Sequence, residues 1–265
     1  MKFEKNTFNK RMKSMLKVDF KRMFTTPLFY IMIVVSLVMP ILILVMTTMM
    51  DGTTTTNPQT GVQTTIEGFK NVWQIIGSVS GGEAQMGMDI ISMCNINIMF
   101  FVIAVFVGIF ITEDFRSGYA KNLFTVRSKK TDYAISKSVV CFVAGASMLI
   151  AFFVGSMLGG AIAGLPFALE GANAFNVVMC LLSKIFLVGI FIAIFMFASI
   201  IAKQRLWLSL ILSLGIGMLF FTMVPMITPL NSSIMNAVLC LAGSVGFVAL
   251  FVWLSNLILK KFDIL

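Results

Sequence analysis

Apolar residues along this chain form continuous runs separated by short polar segments, with little strand-like alternation. A run of about 20 apolar residues is long enough to cross a bilayer as a helix. Continuous runs favour helices over a barrel, whose strands would alternate. Six stretches qualify: about 28–50, 92–112, 135–163, 178–201, 206–224 and 234–259. The start of the fourth lies anywhere between Phe175 and Ile185, depending on where Lys184 sits. The pattern predicts an all-α integral membrane protein with a six-span domain over 28–265, preceded by a segment of different character over 1–27.

In that first segment Phe8, Met12, Met15, Leu16, Phe20 and Met23 recur at helical spacing, with Lys10, Lys13, Lys17 and Lys21 on the other side. This predicts an amphipathic interface helix lying in the headgroup plane, apolar side down. Such an elbow would brace span 1 and touch a cytoplasmic partner. Pro27 marks the break into span 1. The long basic region and the missing small-residue cleavage site argue against a secretory signal.

Composition agrees with lipid as the main solvent. Hydrophobic residues make up 58% and charged residues 12%, against about 45–50% and 25% in soluble domains. The 26 Phe and 21 Met are read as lipid-facing and interhelical packing. The net charge of +9 takes its meaning from placement. Eight Lys and Arg precede span 1. Arg116, Lys121, Arg127, Lys129 and Lys130 follow span 2, with Lys137 just inside span 3. Lys203 and Arg205 separate spans 4 and 5, and Lys260 and Lys261 follow span 6. The opposite loops hold only Lys70, and Lys184 lies in or near span 4. The positive-inside bias therefore puts both termini and the basic loops in the cytoplasm. It accounts for the charge through topology and anionic lipid, with no call for nucleic acid.

Little catalytic chemistry is available. The chain has no His, the commonest general base and metal ligand. Cys94, Cys141, Cys180 and Cys240 form no zinc pattern or disulfide framework. No cofactor or metal is expected on this chain.

The segment between spans 2 and 3 runs from Ile111 to Lys137. Glu113 and Asp114 end span 2, and Gly118 permits a sharp turn. Tyr119 to Thr125 can form a short helix exposing Leu123 and Phe124 to a partner or lipid, before Arg127, Lys129 and Lys130 re-enter the interface. This stretch resembles the first coupling region of type-2 ABC exporter permeases: an acidic residue ending span 2, a basic residue and Gly, a short helix, a basic turn, and a Lys opening span 3. Glu113, Arg116, Gly118, Asn122, Arg127 and Lys137 stand in those roles. The layout of the whole chain matches, whereas the motif covers only about 25 residues.

The resemblance implies a permease subunit paired with a second permease, a copy or a relative. Two ABC ATPase subunits would dock beneath and push through Glu113, Asp114, Arg116, Gly118, Lys121, Asn122, Leu123, Phe124 and Arg127. ATP and magnesium would sit on the ATPase. The permease would be a multi-pass protein of the cell membrane, in a bacterium, and resembles bacteriocin-immunity and peptide-export permeases most. Its cargo would be amphipathic or hydrophobic: an antimicrobial peptide, a lipid-like molecule or a drug. No G-x-x-x-x-G-K-[ST] run occurs here, so this chain would hydrolyse nothing. The competing class is an ATP-independent channel, carrier or assembly scaffold.

On the other side, the loop 51–91 reads as Thr-rich coil with a turn at Asn57-Pro58. A short interfacial helix follows, carrying Ile66, Phe69, Trp73 and Ile76, and then a Gly81-Gly82 turn. It is read as a connector on the bilayer or a lid over the substrate path. The outer acidic residues Asp51, Glu67, Glu83, Asp89 and Glu170 would draw a cationic substrate. Pro225 and Pro229 break the connection between spans 5 and 6, which in the resembled family dips into the outer leaflet. Lys184 is read as snorkelling to the outer interface. No paired intramembrane charges are evident, which argues against a proton-coupled carrier. Gly155, Gly159, Gly160 and Gly164, with Gly215 and Gly217, imply close helix packing, within the subunit or at a dimer seam.

Overall fold

The computed structural model describes residues 8–56, 63–65, 68–77, 94–126, 130–169, 171–221 and 224–261. Helices dominate. They are α1 (Phe8–Thr25), α2 (Pro27–Met50), α3 (Met99–Arg116), α4 (Tyr119–Val126), α5 (Lys130–Ala163), α6 (Ala174–Ala202), α7 (Leu206–Phe221), α8 (Val224–Ile227) and α9 (Ile234–Lys261). Five helical stretches are long and apolar enough to cross a membrane: Pro27–Met50, Ile96–Arg116, Lys130–Ala163, Ala174–Ala202 and Ile234–Leu259. The fifth predicted span, α7, has 16 residues, about 24 Å of helix against a hydrocarbon core of about 30 Å.

Local chemistry sets the boundaries. Thr26 is extended (φ −85°, ψ 126°) and Pro27 opens α2, where its missing N–H costs nothing. Asn95 caps the 3-10 turn Ile96–Ile98 that leads into α3, its side chain accepting from the Asn97 amide at 2.9 Å. α5, at 34 residues, is about 51 Å long and overruns the hydrocarbon core. It begins at Lys130, five residues before the predicted span, so its first turns project on the basic side.

α6 is the central helix: 72% of its apolar window is buried, against 22% for α2 and for α9. It packs on α9, α7 and α3, while α2 packs along α5. Gly155 and Gly159 make the second contact possible. A Cβ on Gly155 would overlap the Leu37 carbonyl and come within 2.8 Å of Pro40, and one on Gly159 would lie 2.8 Å from the Ile41 Cα. These glycines therefore serve packing inside the subunit.

One group of contacts defines each end of the bundle. Lys130 Nζ donates to the Leu259 carbonyl at 2.6 Å, and Gln204 Nε2 to the Phe115 carbonyl at 3.5 Å. So the ends of α3 and α9, the start of α5 and the α6–α7 turn lie together, with α1 packed on α5. At the other end lie Asn97, ahead of α3, and Thr228, after α8. α7 thus runs from the Phe115 level toward the Asn97 level.

Three expectations for the loop 51–91 change. Thr54–Thr56 pairs antiparallel with Gln63–Thr65, with Thr54 opposite Thr65, so a short hairpin replaces coil and qualifies the all-α reading. The interfacial helix is a 3-10 turn of four residues, Val72–Ile75. It is packed, not laid on lipid: Phe69, Val72, Ile75 and Ile76 are buried. The Trp73 indole donates to the Phe167 carbonyl at 2.9 Å and the Val72 amide to the Pro166 carbonyl at 3.3 Å. Asn57-Pro58, Ile66, Glu67, the Gly81-Gly82 turn, Glu83, Asp89 and Glu170 lie outside the described residues.

Candidate functional site

The α3–α4 corner begins with chain geometry. The Ser117 amide closes α3 on the Glu113 carbonyl at 2.9 Å. Gly118 then takes φ +74°, a conformation costly for residues with a Cβ, and its carbonyl accepts from the Asn122 amide at 3.0 Å to start α4.

Helical period divides the predicted coupling residues into two sets. Glu113, Arg116, Lys121 and Asn122 are exposed. Leu123 and Phe124, expected outside, are half-buried on the core, with the Phe124 ring 5.3 Å edge-on from Tyr133. The eight residues of α4 have one apolar face, and the adjacent start of α5 offers Tyr133 to cover it. Arg127 lies outside the described residues.

Asp114 is fully buried and is the hub of a charge network. Arg22 Nη1 reaches its Oδ1 at 2.6 Å, while Lys137 Nζ at 2.7 Å and the Tyr133 hydroxyl at 2.9 Å reach its Oδ2. Lys137 Nζ also lies 2.9 Å from Asp19 Oδ1, and Asp19 accepts from Ser136 at 2.6 Å and Tyr119 at 3.3 Å. The Arg22 guanidinium stacks 3.9 Å over the Tyr119 ring. Beside the network, Arg11 pairs with Asp132 at 3.1 Å. Two carboxylates, one ammonium and one guanidinium thus form a balanced set joining α1, α3, α4 and α5.

Asp19, Lys137 and Asp114 have no exposed surface. Taking an ion out of water costs several kcal/mol, and only close pairing with filled hydrogen bonds offsets it. Both carboxylates meet that condition here. Burial, helped by Asp19 and Asp114, pushes the Tyr119 phenol up to about 12, so it stays a neutral donor.

The network revises the reading of α1. Met15, Asp19 and Met23 are the buried face, at i, i+4 and i+8, while Leu16 and Phe20 are half-buried and Phe8 is 51% exposed. The helix docks on α5 through a mixed polar and apolar stripe, so its apolar side is not simply turned to lipid. Asp19 was missed because it is an acid set in the middle of the apolar face, where the Met and Phe spacing alone defines the stripe. The signal available was an acid four residues from both Met15 and Met23.

A second polar group lies at the opposite end. Lys184 is fully buried in α6. Its Nζ donates to Asn97 Oδ1 at 2.9 Å and Thr228 Oγ1 at 2.8 Å. The snorkelling expectation fails because α6 begins at Ala174, which places Lys184 about 15 Å inside the helix.

Apolar helices able to cross a bilayer, with charge paired inside the fold, define a multi-pass helical membrane protein. The family model of the ABC-2 family transporter protein matches residues 15–225, more than half of the chain. The chain belongs to that family, whose permeases are membrane components and not themselves catalytic. No curated protein and no solved structure matches it.

Proposed function

We propose that this chain is the permease subunit of a two-component ABC exporter in a bacterial cell membrane. A separate ATPase, in two copies, holds ATP and magnesium and docks on the exposed side of the α3–α4 corner. A second permease, a copy or a relative, completes the pore. α7 crosses as the fifth span in chain order and brings the total to six, and both termini then lie in the cytoplasm. The cargo is amphipathic or hydrophobic, with antimicrobial peptides the leading class.

The observation that supports this reading best is the division of labour at the corner. Glu113, Arg116, Lys121 and Asn122 are presented outward. Behind them, Asp114 and Tyr119 tie the same corner to α1 and α5. A push on α4 therefore moves three elements together. The test is purification of the tagged chain from its native membrane, with associated chains identified by mass spectrometry. Wild type should bring down an ABC ATPase, and Glu113→Lys combined with Lys121→Glu should lose it while reaching the membrane at normal levels. Transport that persists with no ATPase bound would instead establish the ATP-independent channel or carrier.

A further inference from the structure

Among the described residues two lysines, Lys137 and Lys184, are completely buried, and they differ in one respect. Lys137 has two carboxylates within 3 Å. Among the described residues, Lys184 donates only to neutral oxygens, those of Asn97 and Thr228. Among the described residues, Asp19, Asp114 and Asp132 are paired at the far end of the bundle. Glu113 is exposed there, and Asp51 binds the Gly68 amide. An ammonium has three donors, of which two are used here. A buried ammonium with only neutral partners is under-compensated, and an ionisable residue inside a membrane points to an ionic partner.

The surroundings say what that partner can be. Thr228 gives its own hydroxyl proton to the Val224 carbonyl at 2.9 Å, so it meets Lys184 purely as an acceptor. Asn97 accepts from the lysine through its carbonyl, leaving an amide NH2 able to donate to an anion. The remaining neighbours are weakly polar: Cys180, whose thiol reaches the Thr228 carbonyl at 3.6 Å, is fully buried. Thr228 directly follows α8, which has four residues, whereas Lys184 lies inside the 29 residues of α6, so the competing acceptor sits on the shorter element.

We propose that Lys184 and Asn97 form a binding site for the acidic head, a carboxylate or phosphate monoester, of an amphipathic anion. Thr228 holds the lysine in place until that anion displaces it. The inference rests on the exporter reading only in calling such a ligand a cargo. Binding is a property of this chain alone.

The experiment therefore uses the purified full chain in a non-ionic detergent, without any ATPase. Thermal unfolding is followed during titration with laurate, dodecyl phosphate, dodecanol and, separately, phosphatidylglycerol. Laurate and dodecyl phosphate should raise the unfolding midpoint of the wild type, and dodecanol should not. Lys184→Met should bind laurate about tenfold or more weakly, as for one lost charge-assisted contact. Thr228→Val, which removes the competing acceptor and keeps the lysine, should bind laurate more tightly, and it decides the matter if Lys184→Met does not fold. Lys184-dependent stabilisation by phosphatidylglycerol also supports the site and assigns it to a bilayer headgroup. Equal effects of laurate and dodecanol on the wild type, or unchanged laurate affinity in Lys184→Met, overturn the proposal. Failure of the exporter reading shows separately, as absence of an ATPase in the purification.

Discussion

At the scale of single residues, Asp114 carries the most consequence. It faces a guanidinium, an ammonium and a phenol, and replacing it with Asn leaves Lys137 and Arg22 short of charge inside the fold. Removing one partner of a buried pair costs about 3–5 kcal/mol. Asp114→Asn should therefore lower the thermal midpoint of the purified protein sharply. Adding Lys137→Met to Asp114→Leu should recover part of the loss, because the double change leaves Arg22 with Asp19 and no net imbalance; a purely additive cycle would refute the pairing. Tyr119 makes a pH prediction. Its phenol is held at about 12, above the unfolded value near 10, so the folded chain keeps the proton more tightly. Its contribution is complete below pH 10 and lost as pH rises through about 12. The midpoints of wild type and Tyr119→Phe should converge over that window, while their difference stays constant below it.

At the scale of elements, the α2–α5 contact is limited by backbone approach. Gly155 faces Leu37 and Pro40 with no room for a side chain, so Gly155→Val must push the helices apart. Overpacking costs roughly 1–3 kcal/mol, and the variant should show a lower thermal midpoint with faster proteolysis of the α2–α5 pair. Normal stability in that variant would contradict the close approach. The helical elements were legible because apolar runs of this length have one physical use. Their pairings were not. The glycines at 155, 159 and 160 signal a close contact, and a seam within the subunit or between two subunits reads the same way in sequence. The same limit applied to α1: its periodicity was visible, but its burial on α5 depends on Asp19 meeting Lys137 and Ser136, 118 and 117 positions away.

At the scale of the whole molecule, topology is the open quantity that a measurement can fix. Gln204 and Ser233 flank α7 and α8 and are both exposed. In the six-span arrangement a cysteine at Gln204 reacts with a membrane-impermeant maleimide only after the membrane is opened, and one at Ser233 reacts in intact cells. Reaction of both positions from the same side would mean that α7 does not cross. The core should also be insensitive to salt. Asp19, Asp114 and Lys137 have no exposed surface, and buried pairs are screened far less than surface ones.

Sequence by itself determined that this chain lives in lipid, how many apolar segments it has, which loops carry positive charge, and where the corner with Gly118 lies. Those features follow from local composition and period, which each segment expresses without its neighbours. Only the tertiary structure decided that Asp114 is a buried hub. It likewise turned Leu123 and Phe124 inward, and held Lys184 inside the bundle between Asn97 and Thr228. The physical reason is common to all three. Whether a charge or a ring is buried depends on partners far away in the chain, and compensation of buried charge is a property of the assembled site.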